Sequence, residues 1–120
     1  MGIWYCNGRK YHNNKTDVDG ITFDSQKEAN RWGELKLMER AGEIYDLQRQ
    51  VPFVLIPTQR EQNGKLIEKE VKMVVDFTYR DIRTGRLVVE DVKSPATKTP
   101  QYIVKRKLLL YRHGLRIKEV

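Results

Sequence analysis

Residues Glu70 to Ser94, EVKMVVDFTYRDIRTGRLVVEDVKS, constrain the fold more than any other stretch. Two runs rich in β-branched and aromatic residues, Val71 to Arg80 and Leu87 to Val92, flank a short polar segment containing Gly85. That is the pattern of a β-hairpin. Asp76, Asp91 and Lys93 fall where the strands should be buried. Side chains alternate along a strand, so Asp91 and Lys93 share one face and Glu90 points to the other. A loop of Ile82 to Gly85 pairs Asp81 with Arg86 and sets Asp76 directly opposite Asp91. A bulge at Gly85 would shift this pairing by one residue and move Asp76 out of line.

Like charges directly opposite on one face repel. Two carboxylates among Val74, Val75, Phe77, Val89 and Val92 therefore cost stability unless something compensates. A hard divalent cation does so, since Mg²⁺ takes oxygen ligands and is usually held by one or two carboxylates plus water and substrate phosphate. Lys93 would then lie beside the water and the phosphate. The competing reading is structural: a solvated strand face, or an ion pair of Asp76 with Lys93. A lone D-x-K tripeptide is a weak signal, and it gains weight because all three residues sit on apolar strands of one hairpin.

The 120 residues suit a single domain with a real core. The apolar runs are too short to span a bilayer, and the opening MGIWYCNGRKYHNNK lacks the apolar stretch of a signal peptide. With one cysteine, Cys6, there is no intrachain disulfide, so a cytoplasmic setting is the expectation. His12 and His113 have no Cys or His partner at zinc spacing, which argues against a structural zinc site.

Charge is unevenly placed. Residues 1–92 carry fifteen Lys/Arg and fifteen Asp/Glu, whereas residues 93–120 carry eight Lys/Arg against Glu119 alone, so the net +7 lies entirely after the hairpin. Lys98, Lys105, Arg106 and Arg112 belong to this basic tail. Arg9, Lys10 and Lys15 form a smaller patch in an arm over residues 1–16, which mixes them with Trp4, Tyr5 and Tyr11. Such clusters are the footprint of a polyanion, most often nucleic acid.

The remaining elements are set by turn and cap signals. Asp19-Gly20 makes a turn before a short extended piece, Ile21 to Phe23. Ser25 with Glu28 is a capping box that opens a helix running to about Ala41, with Gly42 as its stop. Glu28, Trp32 and Leu35 share one side of it. Glu28 thus has two readings, a cap for the Ser25 backbone and a third carboxylate directed at Asp76 and Asp91. A strand from Val51 to Ile56 carries Pro52, which suits an edge, and Asn63-Gly64 turns it back to pair with the strand bearing Asp76. Gln50, just before it, could bond backbone or substrate. Thr99-Pro100 starts a second helix that ends at Gly114. Its apolar face is read as Val104, Leu108 and Tyr111, widened by Ile103, Lys107 and Leu110, with Tyr102, Lys105, Arg106 and Arg112 pointing elsewhere. Leu115 to Val120 is a last strand, parallel to the third across the helical crossover. The expectation is an α/β (α+β) fold with an α-β-β-β-α-β core and helices on the faces of a mixed sheet.

This pattern resembles the PD-(D/E)xK nuclease superfamily, with Asp76 and Asp91-Val92-Lys93 as the motif residues. More closely, NKTDVDGITFDSQKEA, LMERAGEIYDLQRQVPF, VDFTYR, VVEDVKS and YIVKRKLLL are similar to small phage-encoded endonucleases related to Holliday junction resolvases. The resemblance implies a restriction-endonuclease-like core in which Asp76, Asp91 and the Val92 carbonyl bind Mg²⁺ or Mn²⁺. It further implies that Glu28 reaches the metal directly or through water. Lys93 would orient or deprotonate the attacking water. Val75 stands where the superfamily name has Pro, and Glu90 is an alternative ligand to Asp91 should the register slip. The expected activity is metal-dependent hydrolysis of DNA phosphodiesters, with branched or junction DNA as substrate and a homodimer as a further implication. A non-catalytic DNA-binding module of the same fold is the alternative.

Overall fold

Turn chemistry sets the first elements. In the computed structural model, which describes residues 15–120, Asp19 and Gly20 adopt φ of 53° and 77°. They fold β1 (Thr16–Val18) back on β2 (Ile21–Phe23) as an antiparallel pair. The expected arm therefore gives way to a strand at Thr16, and Lys15 just before it is exposed. Arg9 and Lys10 lie outside the described residues. Two compact units divide the chain, the first ending at Glu34 and the second spanning Leu35–Val120.

Helix α1 (Gln26–Arg40) begins as its cap signal requires: Ser25 Oγ accepts the Glu28 backbone N–H at 3.1 Å. Glu28, Trp32 and Leu35 are buried, as their spacing predicts. The helix stops at Gly42 (φ 77°), where Glu43 N–H closes on Met38 O at 3.0 Å.

The second unit holds β3 (Ile44–Ile56), β4 (Gln59–Arg60), β5 (Leu66–Glu68), β6 (Val71–Asp81), β7 (Leu87–Asp91), α2 (Pro100–His113) and β8 (Ile117–Glu119). One four-stranded sheet has the order β3-β6-β7-β8. Its first two pairings are antiparallel and β7 runs parallel to β8, with α2 as the connection. The α/β class and the α-β-β-β-α-β order are thus those expected. Strand β3 lies at the sheet edge, which accommodates Pro52. It begins at Ile44, well before the expected Val51, because a register shift between Tyr45 and Gln48, with Asp46 at φ 57°, carries pairing past the irregularity. The Asn63-Gly64 signal produces a small hairpin of its own, β4 with β5, inserted before β6.

The core gathers Leu55, Met73, Val75, Val89, Tyr102, Leu109 and Ile117. Ile103 and Leu108 pack against it as expected, but the rest of the expected face of α2 is corrected. Tyr102 and Leu109 are its buried residues, while Val104, Leu110 and Tyr111 are exposed. Thr99 Oγ1 accepts Tyr102 N–H at 3.1 Å, fixing the phase of the first turn. The phenol then finds a partner on β8, so a residue read as pointing outward is buried. Among the described residues no helix is long and apolar enough to cross a membrane.

Candidate active site on the central hairpin

The turn between β6 and β7 sets the register of the acids. Asp81 N–H bonds Arg86 O at 3.1 Å and Gly85 N–H bonds Asp81 O at 2.7 Å, so the loop is the four residues Ile82 to Gly85. Gly85 takes the positive φ of 71° that the turn demands. The ladder runs Arg80 with Leu87, Thr78 with Val89 and Phe77 with Glu90. The next step of that register brings Asp76 to Asp91, as expected for an unbulged turn.

At this step the strands part, and side chains replace the ladder. Asp76 N–H donates to Asp91 Oδ1 at 2.8 Å, and Val92 N–H donates to Asp76 Oδ2 at 2.8 Å. Each carboxylate therefore receives a backbone N–H from the opposite strand. Beyond the fork, β7 pairs with β8 instead: Val120 N–H bonds Asp91 O at 3.0 Å and Lys93 N–H bonds Val120 O at 2.9 Å. The Gln50 amide approaches Asp76 Oδ1 at 3.4 Å from β3.

This geometry determines the electrostatics. Burial first, and the Asp76 charge second, push the Asp91 carboxyl up from 3.8 to about 6, against the pull of the Asp76 N–H and of Lys93. Glu90, one residue earlier, faces the other way. It is fully buried, accepts the Tyr79 hydroxyl and lies 3.9 Å from Lys118 Nζ. The alternation that separates Glu90 from Asp91 is therefore intact.

Lys93 leaves the strand end with its Nζ 4.2 Å from the centroid of the Tyr102 ring. Asp91, Lys93, Tyr102, Lys105, Thr97 and Thr99 line one open cavity of about 210 Å³. Of the other cations expected to meet DNA, Lys98 and Arg106 are engaged by Glu119, at 2.9 and 3.0 Å. Arg112 is exposed near the end of α2. The structure thus brings together Asp76, Asp91, Lys93 and the Val92 backbone, whereas Glu28 belongs to the first unit.

A family model described as "Protein of unknown function (DUF1064)" matches residues 8–119. The chain belongs to that family. No curated protein and no solved structure matches it.

Two groups at this site of the DUF1064 chain are not marked by the sequence pattern. Glu119 reads there as one acid in a basic tail, yet in the parallel register it stands beside Asp91. Its carboxylate takes the Tyr102 hydroxyl at 2.7 Å as well as Lys98 and Arg106. These partners hold its carboxyl down at about 2. Tyr102 falls on the outer face of α2 by its spacing alone. A lone Glu among eight cations is the available signal for the first, and nothing in the periodicity marks the second.

The donor set fits a hard divalent cation. Asp76 and Asp91 are the hard carboxylate ligands a cation would take, each also accepting a strand N–H, with the Gln50 amide at Asp76 Oδ1. Among the described residues no group of three or more His, Cys, Asp or Glu side chains is placed to hold a metal ion. Any such ion would complete its shell with backbone oxygen, water or substrate phosphate.

Proposed function

We propose that this protein is a metal-dependent DNA endonuclease of the PD-(D/E)xK type. The observation that carries the reading is the opposition of Asp76 and Asp91 at the fork of β6 and β7, with Lys93 two residues on. In this reading Asp76 and Asp91 hold Mg²⁺ or Mn²⁺, with the Val92 carbonyl as a further oxygen ligand. When bound, such an ion acts as a Lewis acid toward a phosphate oxygen and makes water a better nucleophile. Lys93 supplies a cation to the phosphate and orients the attacking water. Buried Val89, two residues before Asp91 on the same face, lowers the local dielectric, which strengthens these contacts. Lys105 on the cavity wall and exposed Arg112 extend the positive surface along α2 for a DNA backbone. Branched or junction DNA as substrate, and a dimeric enzyme, are carried into the proposal by analogy with the phage-encoded endonucleases that the sequence resembles.

A second reading has its own support, because both carboxylates already serve the fold by satisfying backbone N–H groups. In that reading the protein binds DNA without cutting it. Both predict binding that weakens steeply with salt. The deciding experiment is cleavage of labelled duplex, single strand, flap and four-way junction with Mg²⁺, Mn²⁺ or EDTA, comparing wild type with Asp91→Asn. Metal-dependent cutting that disappears in the variant supports the nuclease, and DNA binding with no cutting of any substrate supports the module.

A further inference from the structure

Lysine side chains have four rotatable bonds, so an ammonium that must meet one phosphate oxygen needs something to hold it. The Lys93 backbone is fixed by its N–H bond to Val120 O. Its side chain lies over the Tyr102 ring, with Lys93 Nζ 4.2 Å from the centroid, so the ring face limits where the ammonium can sit. The ring is itself held at three points. Its backbone N–H bonds the Thr99 cap, its body is buried in the core, and its hydroxyl donates to Glu119 at 2.7 Å.

Glu119 anchors the ring. It neighbours Asp91 in the parallel register, and its carboxylate accepts from the Tyr102 hydroxyl and Arg106 and pairs with Lys98.

We propose that Tyr102 is the positioning residue for Lys93, its ring face holding the ammonium beside Asp91 with Glu119 as the anchor of the ring; the proposal rests on the nuclease reading above. Tyr102 touches neither substrate nor metal in this role and acts through Lys93.

The test is steady-state cleavage by Tyr102→Phe, Tyr102→Leu, Lys93→Met and the Lys93→Met/Tyr102→Leu double variant, with Tyr102→Met substituted if Leu melts below the assay temperature. Tyr102→Leu should lower kcat by about 10- to 100-fold with KM unchanged within about threefold. Tyr102→Phe keeps the ring and should stay within about threefold of wild type in kcat. In the Lys93→Met background, Tyr102→Leu should change kcat by no more than about twofold, because a residue acting through Lys93 has nothing left to position. A merely structural Tyr102 would lower kcat there by its full factor. The Lys93 ε-methylene protons should show an upfield ring-current shift in wild type and Tyr102→Phe that is lost in Tyr102→Leu. Unchanged kcat in Tyr102→Leu, a full further loss in the double variant, or no ring-current shift overturns the role while the nuclease reading stands. A wild type that cuts no substrate overturns the nuclease reading, and the role falls with it.

Discussion

Asp76 and Asp91 each take a hydrogen bond from the strand that carries the other: Asp76 N–H to Asp91 Oδ1 and Val92 N–H to Asp76 Oδ2, both at 2.8 Å. The sheet thus opens at the point where its acids face one another. Burial first, and the Asp76 charge second, outweigh the pull of the Asp76 N–H and leave the Asp91 carboxyl raised to about 6.

That buried, raised carboxyl has a pH signature. Since the folded-state value of Asp91 lies above its ordinary 3.8, the stability tied to this group is full below about pH 4 and lost as pH rises through about 6. Asp91→Asn removes the charge while its amide oxygen can still accept the Asp76 N–H. In EDTA, Asp91→Asn should be more stable than wild type at pH 7 by about 1–3 kcal/mol, with the gain vanishing toward pH 4. Urea unfolding between pH 4 and 8 measures this. Equal stability of the two proteins at pH 7 would mean that the acids do not strain the fold.

Divalent ions should relieve the same strain by mass action. Binding to the folded state alone stabilises by about 2.7 kcal/mol when the ion is at 100 times its Kd. Mn²⁺ should therefore raise the thermal midpoint of wild type and leave Asp91→Asn and Asp76→Asn nearly unmoved. A shift of the same size in all three proteins would place the ion elsewhere.

Glu90 should behave oppositely to its neighbour. It is buried on the far face with the Tyr79 hydroxyl as partner, so removing it leaves a buried donor without its acceptor. Glu90→Ala should destabilise the protein by about 2–4 kcal/mol. The protein that remains folded should keep its cleavage rate within about threefold of wild type. Denaturation alongside cleavage at low temperature separates the two effects, and a large loss of kcat in folded Glu90→Ala would restore Glu90 as a ligand candidate.

What could be read from the sequence divides along physical lines. The Asp76–Asp91 register was legible because a four-residue loop closed by Gly85 leaves one unbulged pairing, and alternation then sorts Asp91 from Glu90. Helix limits were legible at Ser25, Gly42, Thr99 and Gly114, where cap chemistry is local. The buried face of α2 was legible only in Ile103 and Leu108, because Val104, Leu110 and Tyr111 are as apolar as the residues that turned inward. What placed Tyr102 inside was an acceptor on β8, seventeen residues away in sequence and brought close by a parallel pairing. Glu119 was hidden for the same reason. Contacts made across a crossover leave no periodic trace.

Glu119 provides a second, opposite pH dependence. Hydrogen bonds from Tyr102 and Lys98 first, and from Arg106, hold its carboxyl below the ordinary 4.5, at about 2. The stability it contributes is present above about pH 4.5 and lost as pH falls toward 2. Glu119→Gln should flatten the acid limb of the stability profile and cost about 1–3 kcal/mol at pH 7, the worth of hydrogen bonds to a charged acceptor. Acid unfolding of the two proteins followed by circular dichroism tests this, and superimposable acid limbs would refute it.

Gln50 sits at φ 54° on the edge strand, a left-handed conformation that costs a residue with a Cβ about 1–2 kcal/mol. Its amide reaches toward Asp76 Oδ1, so the strained backbone presents a polar group to the site. Gln50→Gly relieves the strain and deletes the amide, whereas Gln50→Ala deletes the amide and keeps the strain. If the conformation is held for the sake of Asp76, Gln50→Gly should be at least as stable as wild type, more stable than Gln50→Ala by about 1 kcal/mol, and impaired in cleavage to the same degree as Gln50→Ala. Paired thermal melts and cleavage assays decide it. Full activity in both variants would make the positive φ a consequence of the β3 irregularity alone, with no bearing on the site.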